Sequence, residues 1–150
     1  MSRPKPRHGA IAATLTVLIG SHVRSKTLGR IFIESGFVLA RDPDVVRGPD
    51  FAFVAADRAP QGTQLDEYLN GAPDLAVEVV SPNDIATDIR RLINLYFAAG
   101  ARLVWIVYPE FMLVEVHRAD NTISVLHVDD ELDGEDVLPG FRTPVRALFE

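Results

Sequence analysis

The chain contains no cysteine. That excludes a disulfide framework and a thiolate metal site, and it fits a reducing compartment, so the expected location is cytoplasmic. No apolar run reaches the length of a membrane span. Leu15–Gly20 is too short, and too polar on its flanks, to be the core of a signal peptide. A glycine-rich phosphate loop and a Ser-His-Asp arrangement are both missing. Acids are absent from the first 33 residues, which carry Arg3, Lys5, Arg7, Arg24, Lys26 and Arg30. These cations could touch phosphates, but they also suit an ordinary surface. The net charge of −6 argues against a general nucleic-acid binder.

What is present fits one ordered domain spanning 1–150. The chain is 47% hydrophobic and 24% charged, long enough for a real core, with no repeat, linker or low-complexity segment. Met1–Arg7, with two prolines and three cations, reads as extended. Ile11, Leu15, Leu18, Ile19 and Val23 recur at helical spacing and predict an amphipathic helix over His8–Lys26. His8 at its start and His22 near its end read as capping or packing residues rather than ligands. Arg30–Glu34 and Phe37–Ala40 read as two strands of a hairpin turning at Ser35-Gly36. Phe51–Ala55 is another short strand, with Asp50 immediately before it. Arg58–Gly71 reads as loop, with one helical turn at Gln64–Leu69.

The stretch Pro73–Tyr108 organises the rest. Leu75–Val80 is an apolar run bounded by Pro73 and Pro82, a buried-strand pattern. Ser81-Pro82-Asn83-Asp84 predicts a helix start with Ser81 as N-cap, a role that outweighs a nucleophilic one. The helix should run to about Ala99 and stop at Gly100, burying Ile85, Ile89, Leu92, Ile93 and Tyr96, with an Asp88–Arg91 pair outside. Leu103–Tyr108 is a second buried strand, with Trp105 in the core. Strand, helix and strand in this order predict a right-handed crossover with parallel pairing. Leu113–His117 and Ile123–Val128 form an edge hairpin around Ala119-Asp120-Asn121. The acidic run at 129–136 reads as a solvated loop, and the tail to Phe149 packs on the body. The fold class is α/β: a central mixed β-sheet, parallel in the middle and antiparallel at its edges, flanked by helices.

Glu78 stands inside the central apolar run, where a carboxylate is costly unless something pairs with it. Asp50 opens the neighbouring predicted strand. If the two strands pair, the carboxylates converge at one sheet end. Two such charges about 4 Å apart repel by roughly 4 kcal/mol at an effective dielectric near 20. A divalent cation removes that cost, and hard oxygen donors select Mg2+ or Mn2+ over zinc. Salt bridges to Arg30, Arg47, Arg90 or Arg91 are the alternative explanation, and spacing leaves both open.

Four segments carry a resemblance. PKPRHGAIAATL resembles a proline-rich entry to a His-Gly-led helix, VVRGPDFAFV a metal-aspartate strand, PDLAVEVVSPND…Y…GARLVWIVYPE a core strand, helix and following strand, and VLPGFRTPVRALF a closing segment. In this order they resemble the Uma-type restriction endonuclease-like family of the PD-(D/E)XK nuclease superfamily. The resemblance implies a restriction endonuclease-like fold, phosphodiester hydrolysis on DNA, and Asp50 and Glu78 as the catalytic, metal-holding carboxylates. It makes Glu34 a candidate third metal acid, set against a surface role. The superfamily's motif lysine has no counterpart: Val80 stands at its usual place. Leu92 stands at the place this branch moves it to, four residues before Tyr96. A short strand region and a glutamate that usually precede the proline-rich entry are also missing, so the resemblance implies either a truncated protein or a start placed too late.

Three functions therefore compete. The first is a metal-dependent DNA endonuclease, weakened by leucine at position 92. The second is an inactive nuclease fold serving as a nucleic-acid-binding or dimerisation module. The third is a structural protein with a charged core pair. Ile31, Phe32, Ile33, Phe37 and Val38 place more apolar surface on the early strands than one small sheet covers, which predicts a homodimer.

Overall fold

The computed structural model describes residue 3 and residues 5–150; the extended reading of the amino terminus falls partly on Met1, Ser2 and Pro4, which lie outside the described residues. Pro6 and Arg7 are already helical. The first helix, α1, spans Pro6–Lys26 and buries Ile11, Leu15, Ile19 and Val23. Proline at its first turn needs no N–H partner there. Arg24 and Lys26 in its last turn oppose the negative end of its dipole, and Thr27 closes it in the left-handed conformation, φ 53°.

A six-stranded sheet lies under α1. Its strands are β1 (Gly29–Phe32), β4 (Phe51–Ala55), β6 (Leu75–Val79), β7 (Leu103–Tyr108), β8 (Leu113–Arg118) and β9 (Ile123–Leu126), in that spatial order. Only β6 and β7 pair in parallel; every other contact is antiparallel. The second helix, α2 (Ala86–Ala98), makes the crossover between the parallel pair. Strand alternation divides the core into two layers. Phe51, Phe53, Leu75, Val77, Trp105 and Val107 pack with α1. Ala52, Val54, Ala76, Val104 and Ile106 pack with Ile93 and Tyr96 of α2.

Four readings are corrected. The predicted hairpin at Ser35-Gly36 does not form: β1 pairs with β4, Phe32 opposite Ala52. Phe37–Ala40 is β2 of a separate small sheet, between β3 (Val45–Arg47) and the two-residue β5 (Leu69–Asn70). Long-range pairing wins over the local turn because Phe37 and Leu39 find the α2 layer. The helical turn in the following loop is a 3-10 turn at Gly62–Asp66, a few residues early. Ser81 does not cap α2. The Asp84 carboxylate accepts the Ser81 N–H at 2.8 Å and the Asp84 N–H returns to the Ser81 carbonyl at 3.0 Å. That exchange closes a separate turn, so the regular helix begins four residues later, after Ile85, which is left exposed. The acidic run is not a free loop either. Glu131–Asp133 forms β10 against β11 (Arg142–Pro144), with Leu132 fully buried beneath. Its acids meet Arg142, Arg146 and Arg118.

One buried carboxylate ties β4 to the start of β6. Asp74, 4% exposed, accepts the Ala55 N–H at 2.8 Å and faces Arg58 and Arg102. Asp74→Ala leaves the Ala55 donor unsatisfied. It should lower the unfolding free energy by roughly 1.5–3 kcal/mol, read by urea denaturation. Asp74→Asn, which keeps an acceptor there, should lose less.

Candidate metal and catalytic centre

β4 and β6 run antiparallel with Phe51 opposite Val77. Continuing that register by one residue sets Asp50 opposite Glu78 at the carboxyl end of the parallel strands. Alternation puts Glu78 on the α2 side with Ala76, and Asp50 on the same side as Ala52. The pairing of β1 and β4 ends at Phe32 opposite Ala52, and the chain then turns at Glu34, whose charge is close enough to help raise the Asp50 carboxyl. Glu34 is solvent-exposed, with φ 50°, and its N–H bonds to the Pro49 carbonyl at 3.1 Å. Among the described residues, no group of three or more His, Cys, Asp or Glu is disposed to hold a metal ion.

Each central carboxylate has its own support. Asp50 Oδ2 accepts the Val79 N–H at 2.7 Å, which anchors it to the neighbouring strand. Its Oδ1 lies 3.0 Å from His8 Nε2, brought around the sheet end by the first turns of α1. Glu78 Oε1 accepts the Tyr96 hydroxyl at 2.5 Å, donated from the buried face of α2. None of the four arginines available as partners meets either acid. Arg30 donates to the Pro60 carbonyl, Arg47 to its neighbour's carbonyl at Val46, and Arg91 pairs with Asp88 at 2.9 Å in solvent.

Burial raises the Asp50 carboxyl above its ordinary range, against the Val79 N–H and His8, which pull it down. Glu78 is pushed up to about 8, first by burial and then by the charge of Asp50. Without a cation, Glu78 therefore keeps its proton well above the ordinary carboxyl range, beside the charge of Asp50. Burial, then Glu78, raises the Tyr96 hydroxyl, which stays protonated and donating.

His8 is the residue that sequence reasoning missed, having been read as a cap or packing group. Only the His-Gly entry to α1 marked it. Tyr96 belongs to the buried stripe that the sequence predicts, and nothing in the sequence marks the partner of its hydroxyl. Leu92 lies one turn before Tyr96 and packs against the same apolar layer.

A chain of this shape is already known. A protein of Anabaena variabilis ATCC 29413, described as "a putative nuclease belonging to DUF820", superposes with a TM-score of 0.84. The match covers 99% of this chain and 83% of that one at 22% identity, and it establishes the restriction endonuclease-like fold. The family Uma2, described as "Putative restriction endonuclease", matches residues 1–146. The chain belongs to the Uma2 family. No curated protein matches it.

The raised acids make metal-free stability depend on pH. Glu78 loses its proton near pH 4.5 when unfolded and near 8 when folded. Between those values the folded state binds more protons at Glu78, so the stability this group contributes is fully present below about 4.5 and is lost as pH rises towards 8. In chelator, the melting temperature should decline across this window. Glu78→Gln, which keeps an acceptor for Tyr96, should flatten the decline and melt higher than wild type at pH 8.

Proposed function

We propose that this protein is a metal-dependent DNA endonuclease that hydrolyses phosphodiester bonds and is weakened by the leucine at position 92. The observation that carries the reading is the Asp50–Glu78 pair: two opposed carboxylates, partly buried, with no arginine or lysine between them. Such a donor set fits Mg2+ or Mn2+, which commonly take one or two protein carboxylates and complete their shell with water and substrate phosphate. Asp50 and Glu78 would hold the ion, with Glu34, whose charge is felt at Asp50, as a third carboxylate. When bound, the ion would polarise a phosphoryl oxygen and acidify a water for attack on phosphorus. His8 orients Asp50 and Tyr96 orients Glu78, so both oxygens present a fixed geometry to the incoming strand.

The membership in Uma2 supports the hydrolytic class. Arg24, Lys26 and Arg30 have no carboxylate partner among the described residues, but they stand at the far end of α1 and β1 from His8 and Asp50 and do not bear on what the carboxylates attract. A cytoplasmic setting fits the absence of cysteine, and no helix among the described residues is long and apolar enough to cross a membrane. Assembly as a homodimer fits two-fold DNA. It is not required by apolar excess, because Phe37 and Val38 are buried within the protomer. A second reading, an inactive nuclease fold that binds nucleic acid or dimerises, is favoured by one observation: Leu92 is packed into the apolar layer and offers no charge to the reaction.

Plasmid nicking separates the two. Wild type should nick weakly with manganese and more weakly with magnesium. Removing one transition-state charge contact typically costs on the order of 10²–10³ in rate, so Leu92→Lys should raise the rate by up to that factor. Glu78→Gln should abolish nicking. Nicking by Glu78→Gln at the wild-type rate would place the activity elsewhere and leave the binding-module reading.

A further inference from the structure

We infer that the hollow beside the carboxylate pair receives an unstacked nucleobase of the strand whose phosphate lies at Asp50 and Glu78. This rests on the nuclease reading above and adds to it a place for the base. The hollow has a volume of about 570 Å³ and is lined by Phe32, Gly36, Leu65, Asp66, Glu67 and Tyr68, among others. That volume lies in the range of sites for small organic ligands.

Its position follows from strand register. Phe32 is opposite Ala52, two residues along β4 from Asp50, and packs on the same α2-side layer. Two residues of strand are about 7 Å, so one wall of the hollow stands a nucleotide's reach from the carboxylates. The loop after Phe32, which carries Ser35 and Gly36, is tied to the segment before Asp50 by the Glu34 N–H to Pro49 carbonyl bond, and the facing loop is joined to it by the Leu69 N–H to Gly36 carbonyl bond at 3.1 Å.

The chemistry of the lining selects a base over a phosphate. Tyr68 is 66% exposed, with one edge of its ring against Gly36. A Cβ at position 36 would lie 2.6 Å from Tyr68 Cδ1, so the ring rests where only glycine leaves room. An open aromatic face backed along one edge is a stacking platform, and Phe32 and Leu65 supply apolar surface nearby. Asp66 and Glu67 repel phosphate but accept hydrogen bonds from exocyclic amino groups. Backbone is thus kept out of the hollow while adenine, cytosine or guanine is accepted.

The test uses the full chain in magnesium at low salt and short single-stranded oligonucleotides carrying one 2-aminopurine. Wild type and Tyr68→Phe should quench the aminopurine on binding. Tyr68→Ala should lose the quench and bind roughly ten-fold more weakly. Because Tyr68 is mostly exposed, its variants should melt with wild type, which is checked in parallel. An abasic site in place of the aminopurine should weaken wild type by the same factor and leave Tyr68→Ala unchanged. Equal quenching and binding by Tyr68→Ala, or indifference of wild type to the abasic site, would overturn the base pocket while manganese nicking stands. Failure of wild type to bind any oligonucleotide, with no nicking, would sink the nuclease reading and this inference together.

Discussion

Two carboxylates occupy one end of the sheet, and the surrounding architecture is arranged to hold them there. Ion pairing with arginine does not relieve them. Instead, Asp50 is held by a backbone N–H of the next strand and by His8, while Glu78 is held by a phenol from α2. These supports come from both layers: α1 covers one face and reaches the sheet end with its first turns, and α2 covers the other. The crossover between β6 and β7 therefore does more than connect parallel strands. It sets Tyr96 above Glu78, because strand alternation turns Glu78 to the α2 side. A one-residue slip of β6 would bury Glu78 in the α1 layer and undo the pair.

The parts legible in the sequence are those whose pattern allows one answer. Leu75–Val80 and Leu103–Tyr108 are apolar on both faces, and such runs with a helical stripe between them admit little but a parallel crossover at the sheet centre. The parts that misled are those where a plausible local signal competes with a distant partner. Ser35-Gly36 looks like a hairpin turn, yet β1 gains more from pairing with β4, and β2 from covering the α2 layer. Ser81 looks like a helix cap, yet Asp84 folds back onto it first. The carboxylate pair could be suspected from one acid inside an apolar run and another before a strand. His8 could not be assigned, since a histidine at a helix start has no visible partner until the helix is placed against the sheet.

Charge is distributed in the same spirit. The acids near the carboxyl terminus are engaged: Arg142 faces Glu131 and Asp133, Arg146 faces Asp129, Arg118 faces Glu135, and Arg102 faces Asp136. Most of these contacts are exposed and contribute little stability individually. Their larger consequence is that the acidic run is locally compensated, while Arg24, Lys26 and Arg30 along α1 and β1 have no carboxylate partner among the described residues. A net negative chain can in this way keep a positive side. The whole-molecule charge of −6 is therefore a poor guide to what one face of it attracts.

Position 92 decides what neutralises the pair. A lysine there would stand one turn before Tyr96, on the helix face that already meets Glu78, and its ammonium would offset part of the repulsion in the resting protein. Leucine adds apolar contact to the α2 layer and brings no charge. The pair is then left with two neutralisers, a proton or a cation. Under the nuclease reading that choice couples them: at low pH the proton on Glu78 would compete with the metal, and only as pH rises towards 8 would both carboxylates be free for it. The loss of lysine thus has two opposed consequences under the nuclease reading. It removes a contact to the developing charge on phosphorus, which lowers the rate. It also leaves the carboxylates with more charge to be balanced, which strengthens their demand for the ion once the proton is gone.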